Sequence, residues 1–263
     1  MSEIPDRTAP IKVSMAQKIK KKRVDQQLVE REMVDSLALA QALIMAGEVW
    51  NKDRRIEKAG QLLPIDAPLH LKGKGHPWVS RGGIKLAHGL KYFGWTVDNA
   101  IGLDVGSSTG GFTDVLLQSG ADRVYAVDSG TNQMAWKLRQ DDRVILYEQL
   151  SARLLTKDHI PEEIDIVVCD VSFISITKLL EIPLSFAKKG GRLLALVKPQ
   201  FEARKEEVEK GGIVRDPEVR KRVCSEVKAW LEGLGWHVIG LEKSPITGHD
   251  GNVEFLLAAE KIG

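Results

Sequence analysis

Cysteine is scarce. Cys169 and Cys224 are the only two in 263 residues, too few for a disulfide framework and without the paired spacing of a zinc site. The six histidines, at 70, 76, 88, 159, 237 and 249, include no pair four residues apart, so no metal site is expected. Long apolar runs are missing as well. The longest uncharged stretch, Ser36 to Gly47, has twelve residues against the ~18 needed to cross a bilayer. The opening residues mix Pro, Asp, Arg and Lys in place of the apolar core of a secretory signal. These absences point to a cytoplasmic protein without membrane contact. Nor does one sign of charge dominate, since 38 Lys and Arg face 36 Asp and Glu for a formal net charge of +2.

The charge that is there is unevenly placed. Residues 1 to 75 carry 14 Lys and Arg against 10 Asp and Glu, whereas residues 76 to 263 carry 24 against 26. The run Lys18-Ile19-Lys20-Lys21-Lys22-Arg23 concentrates the cations, as a segment that meets a polyanion does. Residues 1–22 read as a flexible basic arm. Residues 23–72 read as a small α+β domain: one helix begins at Val24, a second spans Ser36 to Ala46 and stops at Gly47, and extended pieces lie near 48–50 and 69–71. Residues 73–80, rich in Gly and Pro, read as a linker.

From residue 81 to 263 the pattern alternates. Short apolar runs at 101–105, 124–127, 144–147, 164–169 and 193–197 are separated by helical stretches such as 110–119, 174–187 and 217–233. Buried strands alternating with helices predict an α/β, doubly wound parallel sheet. Two final strands, 236–243 and 252–259, predict an antiparallel hairpin at one side of it. The tryptophans at 78, 95, 136, 230 and 236 read as packing residues.

The first strand of this domain runs into a glycine-rich turn, Asp104-Val105-Gly106-Ser107-Ser108-Thr109-Gly110-Gly111-Phe112-Thr113-Asp114. Small residues let a ligand approach the backbone, and the following helix offers its amide end. A P-loop would need a Lys where Phe112 stands, and the GxxxGG spacing misses the dinucleotide fingerprint. S-adenosylmethionine, which has no phosphate, suits the turn better. Asp104 would hold its amino group, Gly106, Ser108, Thr109, Gly110 and Gly111 would form its cradle, and Asp128, ending the second strand, would accept the ribose hydroxyls. Further along, Asp170 follows the run Ile166-Val167-Val168-Cys169, Lys198 follows Leu194-Ala195-Leu196-Val197, Glu254 lies in the last strand, and Lys85 lies on the helix that leads into the sheet. An open parallel sheet binds its ligands at such strand ends.

The segments Val79-Ser80-Arg81-Gly82-Gly83-Ile84-Lys85-Leu86, Asp104 to Asp114, Cys169-Asp170-Val171-Ser172-Phe173-Ile174-Ser175, Val197-Lys198-Pro199-Gln200-Phe201-Glu202, Lys210-Gly211-Gly212-Ile213-Val214-Arg215-Asp216 and Gly251-Asn252-Val253-Glu254-Phe255 occur in one order. In these the chain resembles the TlyA-like (haemolysin A) family of FtsJ-type ribosomal RNA 2′-O-methyltransferases, from about Arg23 onward. The resemblance implies a class I methyltransferase domain using S-adenosylmethionine, with Asp170 also near the donor. It implies a tetrad of Lys85, Asp170, Lys198 and Glu254, with Lys198 as candidate base and the two acids orienting the ammonium groups. The substrate implied is a cytidine of ribosomal RNA in an assembled subunit, with no obligate protein partner. The first block resembles the small RNA-binding domain first seen in a small-subunit ribosomal protein. Its RNA contacts would come from Lys20, Lys21, Lys22, Arg23, Lys52, Arg54 and Arg55, joined by Arg81. Two features depart from that pattern: Leu37 follows Ser36 where Arg is usual, and Trp50-Asn51-Lys52 replaces Val-Asn-Gly. Phe173 and Phe201, beside the tetrad, read either as stacking platforms for the target base or as apolar wall. A non-catalytic ribosome-binding factor is the alternative function, and a pore-forming haemolysin lacks any spanning or signal segment to support it.

Overall fold

The computed structural model describes residues 20–31, 33–34, 36–71, 76–248 and 251–263. Most of the expected basic arm (1–19) and residues 73–75 of the expected linker lie outside the described residues. Two units divide the chain, Met1–Gly73 and Lys74–Gly263.

The first unit runs β1 (Lys21–Arg23), α1 (Val24–Glu30), α2 (Leu37–Met45), β2 (Val49–Asn51), β3 (Arg54–Arg55), β4 (Leu62–Pro64) and β5 (Leu69–Leu71). Ser36 starts α2 by accepting the Leu39 amide on its hydroxyl at 3.1 Å, satisfying a helix-end donor. Both helices bury one apolar stripe, Val24 and Leu28 with Ala40 and Ile44, against Val49 and Ile56. β2 is the centre of an antiparallel β3-β2-β5 sheet, and β1 pairs with β4. The basic run therefore does not end in a free arm at residue 22. Lys21 and Lys22 belong to β1, because the buried Gln27 amide ties the Lys22 and Leu63 carbonyls together, each at 2.9 Å.

The second unit runs α3 (Gly82–Tyr92), β6 (Ile101–Val105), α4 (Gly111–Gln118), β7 (Arg123–Val127), α5 (Trp136–Arg139), β8 (Val144–Tyr147), β9 (Ile164–Cys169), α6 (Glu181–Ser185), β10 (Ala187–Val197), α7 (Pro199–Glu202), α8 (Pro217–Gly233), β11 (Trp236–Lys243) and β12 (Phe255–Lys261). Its seven strands lie in the order β11-β12-β10-β9-β6-β7-β8. The pairs among β6 to β10 are parallel, while β12 is antiparallel to both neighbours. The class of sheet and the terminal hairpin are as the sequence predicts. Alternate residues face opposite cores: Val167 and Cys169 join one cluster with α8, Ile166 and Val168 the other with α3 and α4.

Three local expectations change. Residues 174–187 are not one helix but a 3-10 turn, Ile176–Lys178, followed by α6, since Ser175 caps a separate turn and Pro183 has no amide to continue one. Glu254 stands just before β12 rather than in it, its carbonyl accepting the Ser244 amide at 2.9 Å. Trp236 is buried as a packing residue, but Trp136 at the start of α5 is 58% exposed.

Candidate active site

The chain order β6-β7-β8 proceeds to one side of β6, and β9 then starts the other side. Between the ends of β6 and β9 lies the switch point at which such sheets open a crevice. Gly106 follows β6 there and Asp170 follows β9. Gly106 has φ of +81°, and a Cβ on it would stand 2.6 Å from Val171 Cγ1 and 3.0 Å from the Asp170 carbonyl oxygen. Gly111, the first residue of α4, would bring a Cβ to 2.2 Å from Ser80 Oγ. Only glycine leaves both approaches open.

The cavity at this edge has a volume of about 840 Å³. Of the expected donor residues, Gly106, Ser108, Thr109, Gly111, Asp128 and Asp170 line it. Asp128 is held by its backbone surroundings: the Ser108 amide donates to Oδ2 at 2.8 Å and the Gly130 amide to Oδ1 at 2.7 Å. Carboxylate oxygens still have lone pairs to offer. Ser107 is buried on the same wall, and its Oγ has no hydrogen-bond partner among the described residues. A glycine cradle, a fixed carboxylate and an unpaired buried hydroxyl suit a nucleoside-bearing methyl donor.

Asp104 and Gly110 are not on the wall. Asp104 turns to the α3–α4 face, where its Oδ2 accepts from the Thr113 amide at 2.9 Å and the Thr113 hydroxyl at 2.6 Å. It thereby caps the first turn of α4. Its Oδ1 is buried without a hydrogen-bond partner among the described residues. Burial pushes the Asp104 carboxyl up to about 7, against the pull of both Thr113 bonds.

The four residues of the expected tetrad do meet. Lys85 Nζ donates to Glu254 Oε2 at 2.6 Å and lies 3.6 Å from Asp170 Oδ2. Lys198 Nζ lies 2.6 Å from Asp170 Oδ1, and its aligned hydrogen bond goes to Ser172 Oγ at 3.0 Å. The result is a chain Glu254–Lys85–Asp170–Lys198–Ser172 in which two carboxylates balance two ammonium groups. Lys85, Asp170 and Lys198 line the cavity, whereas Glu254 is 2% exposed and lies behind Lys85. Gly248 closes over Glu254: a Cβ there would stand 2.6 Å from Oε1.

Arg81, exposed before α3, is on the cavity wall with Ser151 and Arg153. The other expected RNA contacts belong to the first unit. Lys20, Lys21, Lys52, Arg54 and Arg55 are exposed there. Lys22 pairs with Glu30, and Arg23 engages both oxygens of Asp25 at 3.0 and 2.6 Å.

Two residues to which the sequence pattern assigns no role support the site. Ser172 holds Lys198, and its place two residues after Asp170 is its only sequence signal. Asn252, 2% exposed, accepts the Val214 amide at 3.1 Å and donates to the Gly212 carbonyl at 2.7 Å. It binds the Lys210–Asp216 segment to the one that carries Glu254, so each of those two motifs explains the other.

A doubly wound sheet with a glycine turn at its switch point, a carboxylate ending the second strand and a lysine–carboxylate chain at the rim defines an S-adenosylmethionine-dependent methyltransferase. The model of FtsJ-like methyltransferases matches residues 78–261, and the chain belongs to that family. YqxC of Bacillus subtilis is 46% identical over 239 residues, 90% of this chain and 85% of YqxC. The 16S/23S rRNA (cytidine-2′-O)-methyltransferase TlyA of Mycobacterium tuberculosis is 41% identical over 241 residues, 89% of this chain and 88% of TlyA. Among solved structures, a Streptococcus thermophilus protein is similar with a TM-score of 0.73 at 42% identity, over 93% of this chain and 90% of that one.

Proposed function

We propose that the protein methylates the ribose 2′-hydroxyl of a cytidine in ribosomal RNA, in an assembled subunit in the cytoplasm and without an obligate protein partner. The observation that carries this reading is the Lys85–Asp170–Lys198 chain opening on a cavity with a glycine cradle. The name of the TlyA relative supports the nucleotide and the class of RNA.

Gly106, Ser108, Thr109, Gly110, Gly111 and Asp128 would hold S-adenosylmethionine, with Asp104 fixing the α4 end of the cradle and Asp170 at its inner side. When bound, the donor supplies a methyl group already activated by its sulfonium charge. The chain's own task is to align the hydroxyl and manage its proton. Lys198 Nζ, held between Asp170 and Ser172, would take that proton as the neutral amine, or as the ammonium would stabilise the developing alkoxide while the proton leaves to solvent. Lys85 adds a second fixed positive charge beside the same point, where preorganised charge acts most strongly. Glu254 is a positioning residue, because it reaches the site only through Lys85. Arg81 and the exposed cations Lys20, Lys21, Lys52, Arg54 and Arg55 would bind RNA phosphates. Phe173, 91% exposed at the cavity mouth, would stack on the target base.

The test is incubation with labelled methyl donor and unmodified ribosomal subunits, followed by mapping of ribose methylation. Transfer to a single cytidine 2′-oxygen that disappears with Lys198→Ala is the expected result. Binding to subunits without transfer would identify a non-catalytic RNA-binding factor instead.

A further inference from the structure

α7 is one turn long, with Lys198 as the extended residue that caps it and Glu202 as its last residue, and both reach the 172–176 segment. Lys198, its cap, donates to Ser172 Oγ at 3.0 Å. Glu202, its last residue, accepts from Ser175 Oγ at 2.6 Å on one oxygen and from the Ile176 amide at 2.8 Å on the other. Ser175 in turn caps the 3-10 turn by accepting the Thr177 amide. The 172–175 loop is therefore gripped at both ends by α7. Phe173 sits between the grips with φ of +67°, and its ring lies 5.3 Å from Phe201, also on α7. A bulky side chain in the left-handed region is strained and persists only where its surroundings hold it. Glu202 itself is held against a cost, since burial pushes its carboxyl above the ordinary range despite both donors.

We propose that Glu202 is a positioning residue for RNA recognition: it fixes the 172–175 loop so that the strained Phe173 stands ready at the cavity mouth for the target nucleotide. This rests on the RNA methyltransferase reading above. Glu202 has no part in donor binding or in proton transfer on this view. Its loss is a loss of substrate binding.

The experiment is a double-mutant cycle between Glu202→Ala and Phe173→Ala, with ribosomal subunits as substrate and wild-type protein in parallel. Glu202→Ala is expected to raise KM for subunits about tenfold with kcat and donor Kd nearly unchanged. Glu202→Gln, whose amide can serve both Ile176 and Ser175, should recover KM to within about threefold of wild type. Added to Phe173→Ala, the Glu202→Ala change should have no further effect, because Glu202 acts only through the loop that carries Phe173 and such coupled groups are not additive. Amide exchange at Ile176, read without RNA, should rise in Glu202→Ala and return in Glu202→Gln. Multiplying effects in the double variant, a fall in donor affinity, or unchanged Ile176 exchange would each overturn the assignment of Glu202 while leaving the methyltransferase reading intact. No transfer by wild-type protein would overturn both.

Discussion

Asp25 in the small unit and Asp104 in the large one have no exposed surface. Asp25 faces Arg23 two residues away, and the guanidinium holds its carboxyl below the usual range. Asp104 meets Thr113 with one oxygen and, among the described residues, no hydrogen-bond partner with the other, and burial pushes it up to about 7. The small unit thus neutralises its buried acid locally. The large unit leaves one half-satisfied beside the glycine turn and places its own balanced charges at a cavity, with Lys85, Asp170 and Lys198 on the wall and Glu254 behind them. Charge in the small unit serves the fold first. In the large unit a group of four gathers beside a cavity.

That contrast breaks most visibly at Lys198. Lys198→Ala should lower turnover about 10²–10⁴-fold while leaving the melting temperature nearly unchanged. Asp25→Ala should do the reverse, lowering the melting temperature and sparing donor binding. Thermal melts paired with single-turnover methyl transfer decide it, and a melting loss in Lys198→Ala equal to that of Asp25→Ala would erase the distinction. Next in size, Gly106→Ala should weaken donor binding about tenfold or more, because the added Cβ meets both Val171 and the Asp170 carbonyl at a φ that L residues resist. Titration calorimetry with the methyl donor measures it.

The smaller effects concern pH, and the two aspartates should respond with opposite sign. Asp104 has a raised folded value, so its contribution is complete below about pH 4 and is lost as pH rises through about 7. Between pH 6 and 8 the wild-type protein should lose about 1.4 kcal/mol relative to Asp104→Asn. In melting temperature this is a few degrees for a unit of this size. Asp25 has a depressed value, so its contribution is present above about pH 4 and is lost as pH falls through the folded value. Asp25→Asn should therefore narrow the gap to wild type in acid. If both variants drifted with pH in the same direction, the contrast between the aspartates would be wrong.

Much of the large unit is legible in its residue pattern. β6, β7 and β9 are largely buried and read as near-continuous apolar runs, and α8 announces itself with Asp216 capping and Pro217 opening it. Asp170 and Lys198 are legible because each directly follows an apolar strand run, whereas Lys85, on a helix, and Glu254, before the last strand, are joined to them as a tetrad by the family resemblance. Less legible are strands too short to show a period, such as β1, β3 and β4, each set by a partner elsewhere in the chain. β10 begins at Ala187 rather than at Leu193 because its pairing with β9 jumps between Ala187 and Arg192, across Gly190 and Gly191. Side-chain direction is the hardest to see. Asp104 precedes a ligand turn and yet points into the layer beneath α4. Glu254 shares the tetrad and yet lies behind it. Both follow from which face of a strand end a residue takes, and a single sequence does not state that for irregular segments.

β12 follows β11 in the chain but is inserted between β11 and β10. Until residues 255–261 have been made, β10 keeps an open edge and β11 has nothing to join. Glu254 immediately precedes that strand, so Lys85 gains its partner only as the sheet closes. During synthesis on the ribosome, the nascent chain therefore carries a sticky edge and an incomplete charge chain until this late strand threads into place. A product truncated before residue 252 would lack both the Glu254 partner of Lys85 and the strand that covers β10, and would be prone to aggregate.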